Sequence, residues 1–198
     1  AMPMRLRRLS DGRMAVMADA IYVDSPSDDT VVPAERSRDY PEGGGVLWPF
    51  YNKDGRLLCL DEKSITEYNP VTGGHTVLLK LPSDVHAYCA AFDGVGTVYV
   101  GTEAGVVSAT FETGDFSALQ DISQERITTM SIDSRGRLWA GSSRTVYMKM
   151  PEAGNVTGFS LSDGVTPNEY LPNAFAVCGN RLYLGGANGL LRIDCDDV

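Results

Sequence analysis

The chain has 198 residues, 43% of them hydrophobic and 22% charged, which is typical of a folded domain and not of a disordered tail. Acidic residues outnumber basic ones by 26 to 17, and the resulting net charge of -9 argues against nucleic acid or an anionic membrane surface as a partner. No stretch approaches the roughly 18 apolar residues of a membrane-spanning helix, so this segment is not expected to contact a membrane. Glycine is common, at 21 residues, so many turns and no helical bundle are expected.

A unit of about 42 residues recurs along the chain, and repeats of this length indicate a modular fold. Each copy is a short apolar run, a turn of Asp and Gly, and an alternating apolar strand. The residue after the turn is Arg13, Arg56, Thr97, Arg137 and Arg181 in successive copies, with spacings of 43, 41, 40 and 44. A second turn, centred on Gly73, Gly114 and Gly154, keeps spacings of 41 and 40. Two turn markers with one period are hard to produce by chance.

Each unit divides into four strand-sized pieces that are rich in β-branched and aromatic residues. In the clearest copy the predicted strands are residues 127–132, 137–141, 145–150 and 156–161. Asp133 suits the first turn, because its carboxylate can accept from nearby backbone N–H groups while Gly136 supplies a positive φ. Short antiparallel strands in groups of four, repeated every 40–45 residues or so, are the signature of a β-propeller blade.

The predicted fold is therefore all-β, a single propeller domain or propeller fragment over residues 1–198. It holds about five four-stranded antiparallel blades, the last of which lacks its fourth strand, at residues 4–37, 46–81, 85–120, 127–161 and 173–194. Two interpretations stay open at this point. The chain is either part of a larger ring or a five-bladed ring that closes imperfectly.

The fourth copy resembles a known repeat. The segment from Ile127 to Ser142, with its apolar strand, Asp133, Gly136, and Leu138 followed by Trp139, is similar to the two-component-regulator propeller repeat. Residues 161–194 resemble the last blade of the periplasmic sensor region of bacterial hybrid two-component systems. The matching positions there are residues 163–170, 173–175 and 182–190.

The resemblance implies a periplasmic, membrane-anchored sensor. Members of this family have a large propeller, an immunoglobulin-like domain, a membrane helix and a cytoplasmic kinase, and they detect glycan fragments. This chain contains neither kinase motifs nor a membrane helix, so we expect it to be the sensory portion. Its expected partners are an oligosaccharide or other small ligand, the further propeller and immunoglobulin-like domains of the parent sensor, and a second copy in a homodimer.

One apolar or aromatic position recurs in the second strand of successive blades. It is occupied by Leu58, Tyr99, Trp139 and Tyr183. Its repetition indicates a structural role, in which each side chain fills the wedge between neighbouring blades, rather than a stacking platform for sugars.

Other reactive residue types give weaker signals. The four cysteines at positions 59, 89, 178 and 195 lack paired ligand spacing, so buried thiols are favoured over a zinc site, and a disulfide is left open. His75 and His86 have no nucleophile motif beside them. The acidic runs do not alternate as in a calcium loop and favour a solvated surface. We therefore expect no catalytic residue, metal or cofactor.

In a propeller, the connections from the fourth strand to the next first strand and those from the second to the third strand share one face. Neutral sugars are held by amide, carboxylate and Arg groups with an aromatic ring, and this face offers such groups. The predicted ligand-binding residues are Gln124, Glu125, Arg126, Asn168, Glu169, Tyr170 and Asn173. The hypothesis is a non-enzymatic glycan sensor. The alternatives are a propeller enzyme of the lactonase or lyase type and a protein-interaction scaffold.

Overall fold

The computed structural model of the protein describes the backbone of most of the chain. The described residues are 5–8, 14–17, 21–24, 31–33, 48–53, 56–69, 74–122, 124–151, 154–166 and 168–198. Side chains are described at 49–51, 57–69, 74–122, 124–151, 154–166, 168–172 and 174–198. The chain divides into two compact units, residues 1–83 and 84–198.

The first unit contains two four-stranded antiparallel sheets, each in sequence order. The first sheet consists of β1 (Arg5–Arg8), β2 (Met14–Met17), β3 (Ile21–Asp24) and β4 (Val31–Pro33). The second consists of β5 (Trp48–Lys53), β6 (Arg56–Leu60), β7 (Ser64–Tyr68) and β8 (His75–Lys80). The first strands β1 and β5 contact each other.

The second unit contains three further antiparallel sheets, also in sequence order. They are β9 (Ala87–Phe92), β10 (Thr97–Thr102), β11 (Gly105–Thr110) and β12 (Ser117–Ala118); β13 (Thr129–Ile132), β14 (Leu138–Gly141), β15 (Val146–Lys149) and β16 (Val156–Phe159); and β17 (Tyr170–Cys178), β18 (Arg181–Gly186) and β19 (Gly189–Asp194). A single 3₁₀ turn at Leu161–Asp163 is the helical element of the described residues. The first strands β9, β13 and β17 contact one another in chain order.

The sheets confirm the repeat and the propeller architecture predicted from it. Arg56, Thr97 and Arg181 begin the second strand of their sheets, and Arg137 immediately precedes β14. These positions are therefore equivalent, and the predicted strands of the clearest copy differ from β13–β16 by at most two residues at each end. Gly136 has a φ of 77°, as the turn requires.

The number of blades needs correction. The sequence predicted about five blades, whereas the described residues form four four-stranded blades and a fifth sheet, β17–β19, of three strands. After β19 the backbone turns back toward the fourth blade, since the Cys195 carbonyl oxygen and a main-chain oxygen of Val198 accept from the Arg137 guanidinium at 2.8 and 2.9 Å. Those residues therefore do not pair beside β19. The two interpretations of the ring, part of a larger ring or five blades closed imperfectly, stay predictions.

The core of the second unit lies between successive blades. On β14, Leu138 and Ala140 point to a cluster shared with the third blade. Trp139, which is fully buried, points the other way and packs with Leu182 and Leu184 of the fifth sheet. This alternation follows from the two-residue period of a strand. Because Tyr99 packs against the first of these clusters, Trp139 and Tyr99 confirm the predicted wedge between blades.

The repeated Asp turn is also present. Asp133 Oδ1 accepts from the backbone N–H groups of Arg135 and Arg137 at 2.9 and 3.0 Å. Its Oδ2 accepts from Arg137 Nε at 2.7 Å and from the Trp139 indole N–H at 2.9 Å. Burial opposes the charge of Asp133, but the hydrogen bonds from Trp139, Arg137 and the backbone outweigh it and hold its pKa below the ordinary value.

Candidate functional site

A cavity of about 410 Å³ opens on the second unit where the chain enters the first strands of three successive sheets. It is bordered by the start of β9, the segments that lead into β13 and β17, and the β14–β15 connection. The lining residues are Tyr88, Glu125, Arg126, Thr128, Ser143, Arg144, Glu169, Tyr170, Leu171 and Pro172. Connections of the two predicted kinds, from fourth to first strand and from second to third strand, thus share one face.

Backbone hydrogen bonds anchor the segments around the cavity. The Ile127 N–H donates to the Thr102 carbonyl at 3.0 Å, and the Thr128 N–H donates to Gly141 at 3.2 Å. The Asn168 N–H donates to the Ser143 carbonyl at 3.0 Å, which ties the segment before β17 to the β14–β15 connection. The polar side chains of the cavity therefore stand on a fixed scaffold, which lowers the entropy cost of binding.

One wall of the cavity is built around Tyr88. Its hydroxyl donates to the Glu103 carboxylate, and the Arg126 guanidinium lies 5.7 Å from the ring centroid, within range of a cation–π interaction. The His86 ring meets Tyr88 edge-on at 4.9 Å. The hydrogen bond to Glu103, aided by desolvation, raises the pKa of Tyr88. Tyr88 therefore stays a neutral phenol at neutral pH.

Tyr170 forms a buried part of the lining, and only 2% of it is exposed. It fits because Gly141 has no side chain. A Cβ at Gly141 would lie 3.1 Å from Tyr170 Cδ2 and 2.8 Å from Thr129 Cγ2. Burial raises the pKa of Tyr170, so its phenol is neutral and remains a donor.

Two buried polar atoms of the lining residues have no hydrogen-bond partner among the described residues. They are the Tyr170 hydroxyl and the Glu125 Oε2. Buried polar atoms without partners are rare in folded proteins, because each one costs free energy that exposure to water would have saved. Both atoms belong to residues that line the cavity.

The structure brings four of the seven predicted site residues to this cavity: Glu125, Arg126, Glu169 and Tyr170. Gln124 is exposed beside them but does not line the cavity. Asn168 is buried, and its side chain holds the β18–β19 turn: Oδ1 accepts from Asn188 N–H at 2.9 Å and Nδ2 donates to the Gly189 carbonyl at 3.3 Å. The Asn173 side chain lies outside the described ones.

The remaining six lining residues were not predicted from the sequence. They are Tyr88, Thr128, Ser143, Arg144, Leu171 and Pro172. A signal was present for Ser143 and Arg144, because they form the connection between the second and third strands, which was expected on this face. Tyr88 alternates with buried Cys89 along β9 and carries no such signal.

The cysteines are free thiols in the structure, and three of the four, Cys59, Cys89 and Cys195, are buried as predicted. Desolvation, with a smaller contribution from Asp61, raises the pKa of Cys59 to about 12. Burial likewise raises the pKa of Cys89. Cys178 is exposed and differs from the prediction. It is the last residue of β17, in a stretch, residues 176–179, that is exposed throughout.

Residues 121–144 match the family model described as two component regulator propeller. They run from the end of the third blade through β14 and include Glu125, Arg126, Thr128, Ser143 and Arg144 of the cavity. Among curated proteins, none matches the chain. In the described part of the chain, no helix has the length and apolar character needed to cross a membrane.

Solved structures with the same fold include two extracellular domains of hybrid two component systems from B. thetaiotaomicron. The first is 14% identical, with a TM-score of 0.72 over 99% of this chain and 28% of the other. The second is 15% identical, with a TM-score of 0.65 over 96% of this chain and 27% of the other. The chain thus spans little more than a quarter of these proteins.

A gluconolactonase from Xanthomonas campestris is also similar, at 15% identity and a TM-score of 0.67. The match covers 94% of this chain and 70% of that enzyme. At such low identities, the comparisons establish the propeller fold. The resemblance noted in the sequence is confirmed at this level: residues 121–144 match the two component regulator propeller model, and the chain shares its fold with extracellular domains of hybrid two component systems.

Proposed function

We propose that this chain is a non-enzymatic, ligand-sensing propeller module of an extracytoplasmic two-component sensor, and that its cavity binds a glycan fragment. The observation that carries the proposal is the cavity itself. Its 410 Å³ or so lies in the range of small-molecule sites, and it combines aromatic rings with charged and hydroxyl groups. Sugars present apolar C–H faces for the rings and hydroxyls for the polar groups.

The charges of the cavity favour a neutral ligand. Two arginines, Arg126 and Arg144, are balanced by two glutamates, Glu125 and Glu169, although the whole chain has a net charge of -9. A strongly anionic or cationic ligand would leave one pair of charges opposed. A polyhydroxyl molecule can donate to the carboxylates and accept from the guanidinium groups at once.

The position of the cavity supports sensing. Its walls come from three successive sheets, so a bound ligand touches all three and favours the arrangement of blades that best fits it. In the parent sensor this preference would pass to further propeller and immunoglobulin-like domains and to a second copy of the protein. We place this module in the periplasm on the strength of the family resemblance.

Titration calorimetry on the whole chain tests the proposal. Neutral disaccharides (cellobiose, xylobiose and maltose) are compared with acidic digalacturonate. We expect at least one neutral sugar to bind. Replacing Arg126 by Ala should weaken that binding by about tenfold or more, since a hydrogen bond to a charged group contributes roughly 1.5–3 kcal/mol.

The matched control is Arg192→Ala, which removes an exposed arginine on β19 that does not line the cavity. This variant should bind as the parent chain does. If no neutral glycan binds the parent chain, or if both variants lose affinity equally, the proposal is wrong.

The second candidate function is a lactonase-type propeller enzyme, which the match to the Xanthomonas gluconolactonase favours. Turnover of glucono-lactone, assayed with and without added calcium, separates the two. Hydrolysis that the His86→Ala variant loses would support the enzyme. Binding without turnover would support the sensor.

A further inference from the structure

We infer that Glu125 determines the specificity of the cavity by accepting a hydrogen bond from an O–H or N–H donor of the ligand. The inference rests on the proposed function, because it concerns the same cavity. It adds the chemical group that the ligand must present and the residue that reads it.

Glu125 is a partly buried residue of the cavity lining. Its Oε2 is buried and has no hydrogen-bond partner among the described residues. A carboxylate oxygen accepts hydrogen bonds and cannot donate when ionised. Burial without a donor is therefore costly in free energy. A ligand donor that reaches this atom forms the missing hydrogen bond and so stabilises the complex.

The neighbouring arginine in the chain already contacts another residue of the cavity. Arg126 follows Glu125 in the chain, but its guanidinium lies over the Tyr88 ring. Tyr88 in turn donates its hydroxyl to Glu103. The nearest cation in sequence thus contacts Tyr88 and donates no hydrogen bond to Glu125 Oε2.

The cavity has a second acidic residue, Glu169, which differs from Glu125 in its exposure to solvent. Glu169 is exposed, so water can satisfy its carboxylate. Glu125 is partly buried, and its Oε2 is fully covered. The two residues line the same cavity with the same chemistry and differ in solvation, which makes Glu169 the matched control for Glu125.

Tyr170 adds a second requirement, that the ligand present a hydrogen-bond acceptor to its hydroxyl group. Its hydroxyl is the other buried polar atom of the lining without a partner among described side and main chains, and it can donate as well as accept. A ligand with several hydroxyl groups offers a donor for Glu125 and an acceptor for Tyr170. A ligand that lacks the donor leaves the buried Oε2 of Glu125 without a hydrogen bond.

Sites built to pair with a ligand hydroxyl reject analogues without it strongly, by far more than a missing methylene would cause. Among the neutral disaccharides that bind, we therefore expect one monodeoxy derivative to lose about 100-fold or more in affinity, the hydroxyl removed being the one that donates to Glu125.

The test uses the whole chain and the variants Glu125→Leu and Glu169→Leu, with the neutral disaccharide that binds best and its monodeoxy derivatives as probes. Glu125→Leu should weaken binding of the parent sugar at least about tenfold and abolish the discrimination against the deoxy derivative. Glu169→Leu should retain that discrimination.

Chemical denaturation of the ligand-free variants gives an independent readout. Removing an unpaired buried carboxylate should raise the denaturation midpoint of Glu125→Leu above that of the parent chain, whereas Glu169→Leu should leave it nearly unchanged. A lower midpoint for Glu125→Leu would mean that the carboxylate already has a partner and would overturn the inference.

The failures of the two proposals are distinguishable. If the parent chain binds a neutral glycan and Glu125→Leu binds it with the same affinity and the same discrimination, the role of Glu125 is wrong and the proposed function stands. If the parent chain binds none of the sugars, both proposals fall.

Discussion

The Asp turns of the third and fourth blades begin alike and end differently. In the third blade, Asp93 Oδ1 accepts from the backbone N–H groups of Val95, Gly96 and Thr97 at 2.8, 2.8 and 3.0 Å. The turn stays at the surface, where Val95 is 93% exposed. In the fourth blade, Asp133 makes the same kind of backbone contacts but also binds two side chains, Arg137 and Trp139.

Two sequence positions account for this difference. Thr97 stands where the fourth blade has Arg137, and Tyr99 stands where it has Trp139. Neither threonine nor tyrosine can supply the guanidinium or indole N–H that Asp133 Oδ2 accepts. The same local turn is therefore an isolated cap in one blade and part of a buried network in the next.

The buried network also joins two blades. The Arg137 and Asp133 side chains are only 3% and 2% exposed, and the Arg137 guanidinium donates to the Cys195 carbonyl oxygen and to a main-chain oxygen of Val198. The same repeat position can thus stabilise one hairpin alone or also connect that hairpin to the neighbouring blade. Which of the two occurs depends on the length of the nearby side chains and on the hydrogen-bond donors they carry.

The largest expected effect comes from Asp133→Ala. It leaves the Arg137 guanidinium buried without its carboxylate, and breaking such a pair costs about 3–5 kcal/mol. The free energy of unfolding is measured by urea titration in a Trp48→Phe background, so that Trp139 alone reports by fluorescence. A loss below about 1 kcal/mol, the value of an exposed pair, would show that the network contributes little.

The pH dependence of stability comes next. The pKa of Asp133 is lowered in the folded state, so its stabilising contribution is complete above its ordinary value of 3.8 and is lost as the pH falls through the folded value. Unfolding free energies should therefore fall steeply below about pH 4. In Asp133→Asn this part of the acid dependence should vanish. An equally steep profile in that variant would assign the effect to other carboxylates.

A smaller effect is expected for Asp93→Ala. This substitution removes three backbone hydrogen bonds at an exposed turn, where water can replace them, so we expect a loss of about 1 kcal/mol. The comparison with Asp133→Ala, measured under the same conditions, is the direct test of the difference between the two turns. Equal losses would contradict it.

The smallest effect is expected for Arg135→Ala. Arg135 forms an ion pair with Asp196, but the two side chains are 50% and 60% exposed. Pairs of this kind contribute about 0–1 kcal/mol and weaken with salt. Urea titrations at low and high ionic strength should give nearly the same value for the variant and the parent chain. A loss above about 2 kcal/mol would show that Arg135 belongs to the buried network.

Much of the fold could be predicted because its signals are local. Asp133, Gly136 and the alternating residues after them define a hairpin from neighbouring positions alone, and the repeat period places the others. The sequence also predicted a last sheet without its fourth strand, but not the course of residues 195–198. Residues 195–198 turn toward Arg137 instead, and that contact joins positions about 60 residues apart.

The candidate site was predictable in its location and only partly in its members. Loop residues before β13 and β17 were expected on one face, and Glu125, Arg126, Glu169 and Tyr170 do line one cavity there. Asn168 was predicted as a ligand-binding residue from its residue type and its position, but its side chain forms hydrogen bonds that hold the β18–β19 turn. Composition cannot distinguish an amide that faces a cavity from one that closes a turn.

By itself the sequence determined the strands, their turns and their grouping in fours, because turn chemistry and two-residue alternation act over a few neighbouring residues. Only the tertiary structure decided which face of each strand is covered and which polar atoms lose their water. On β19, Leu190 is 67% exposed, whereas Val146 at the start of β15 is fully buried, although both strands are third in their sheets. Val146 packs against residues of the next sheet, and burial of this kind depends on contacts between distant parts of the chain.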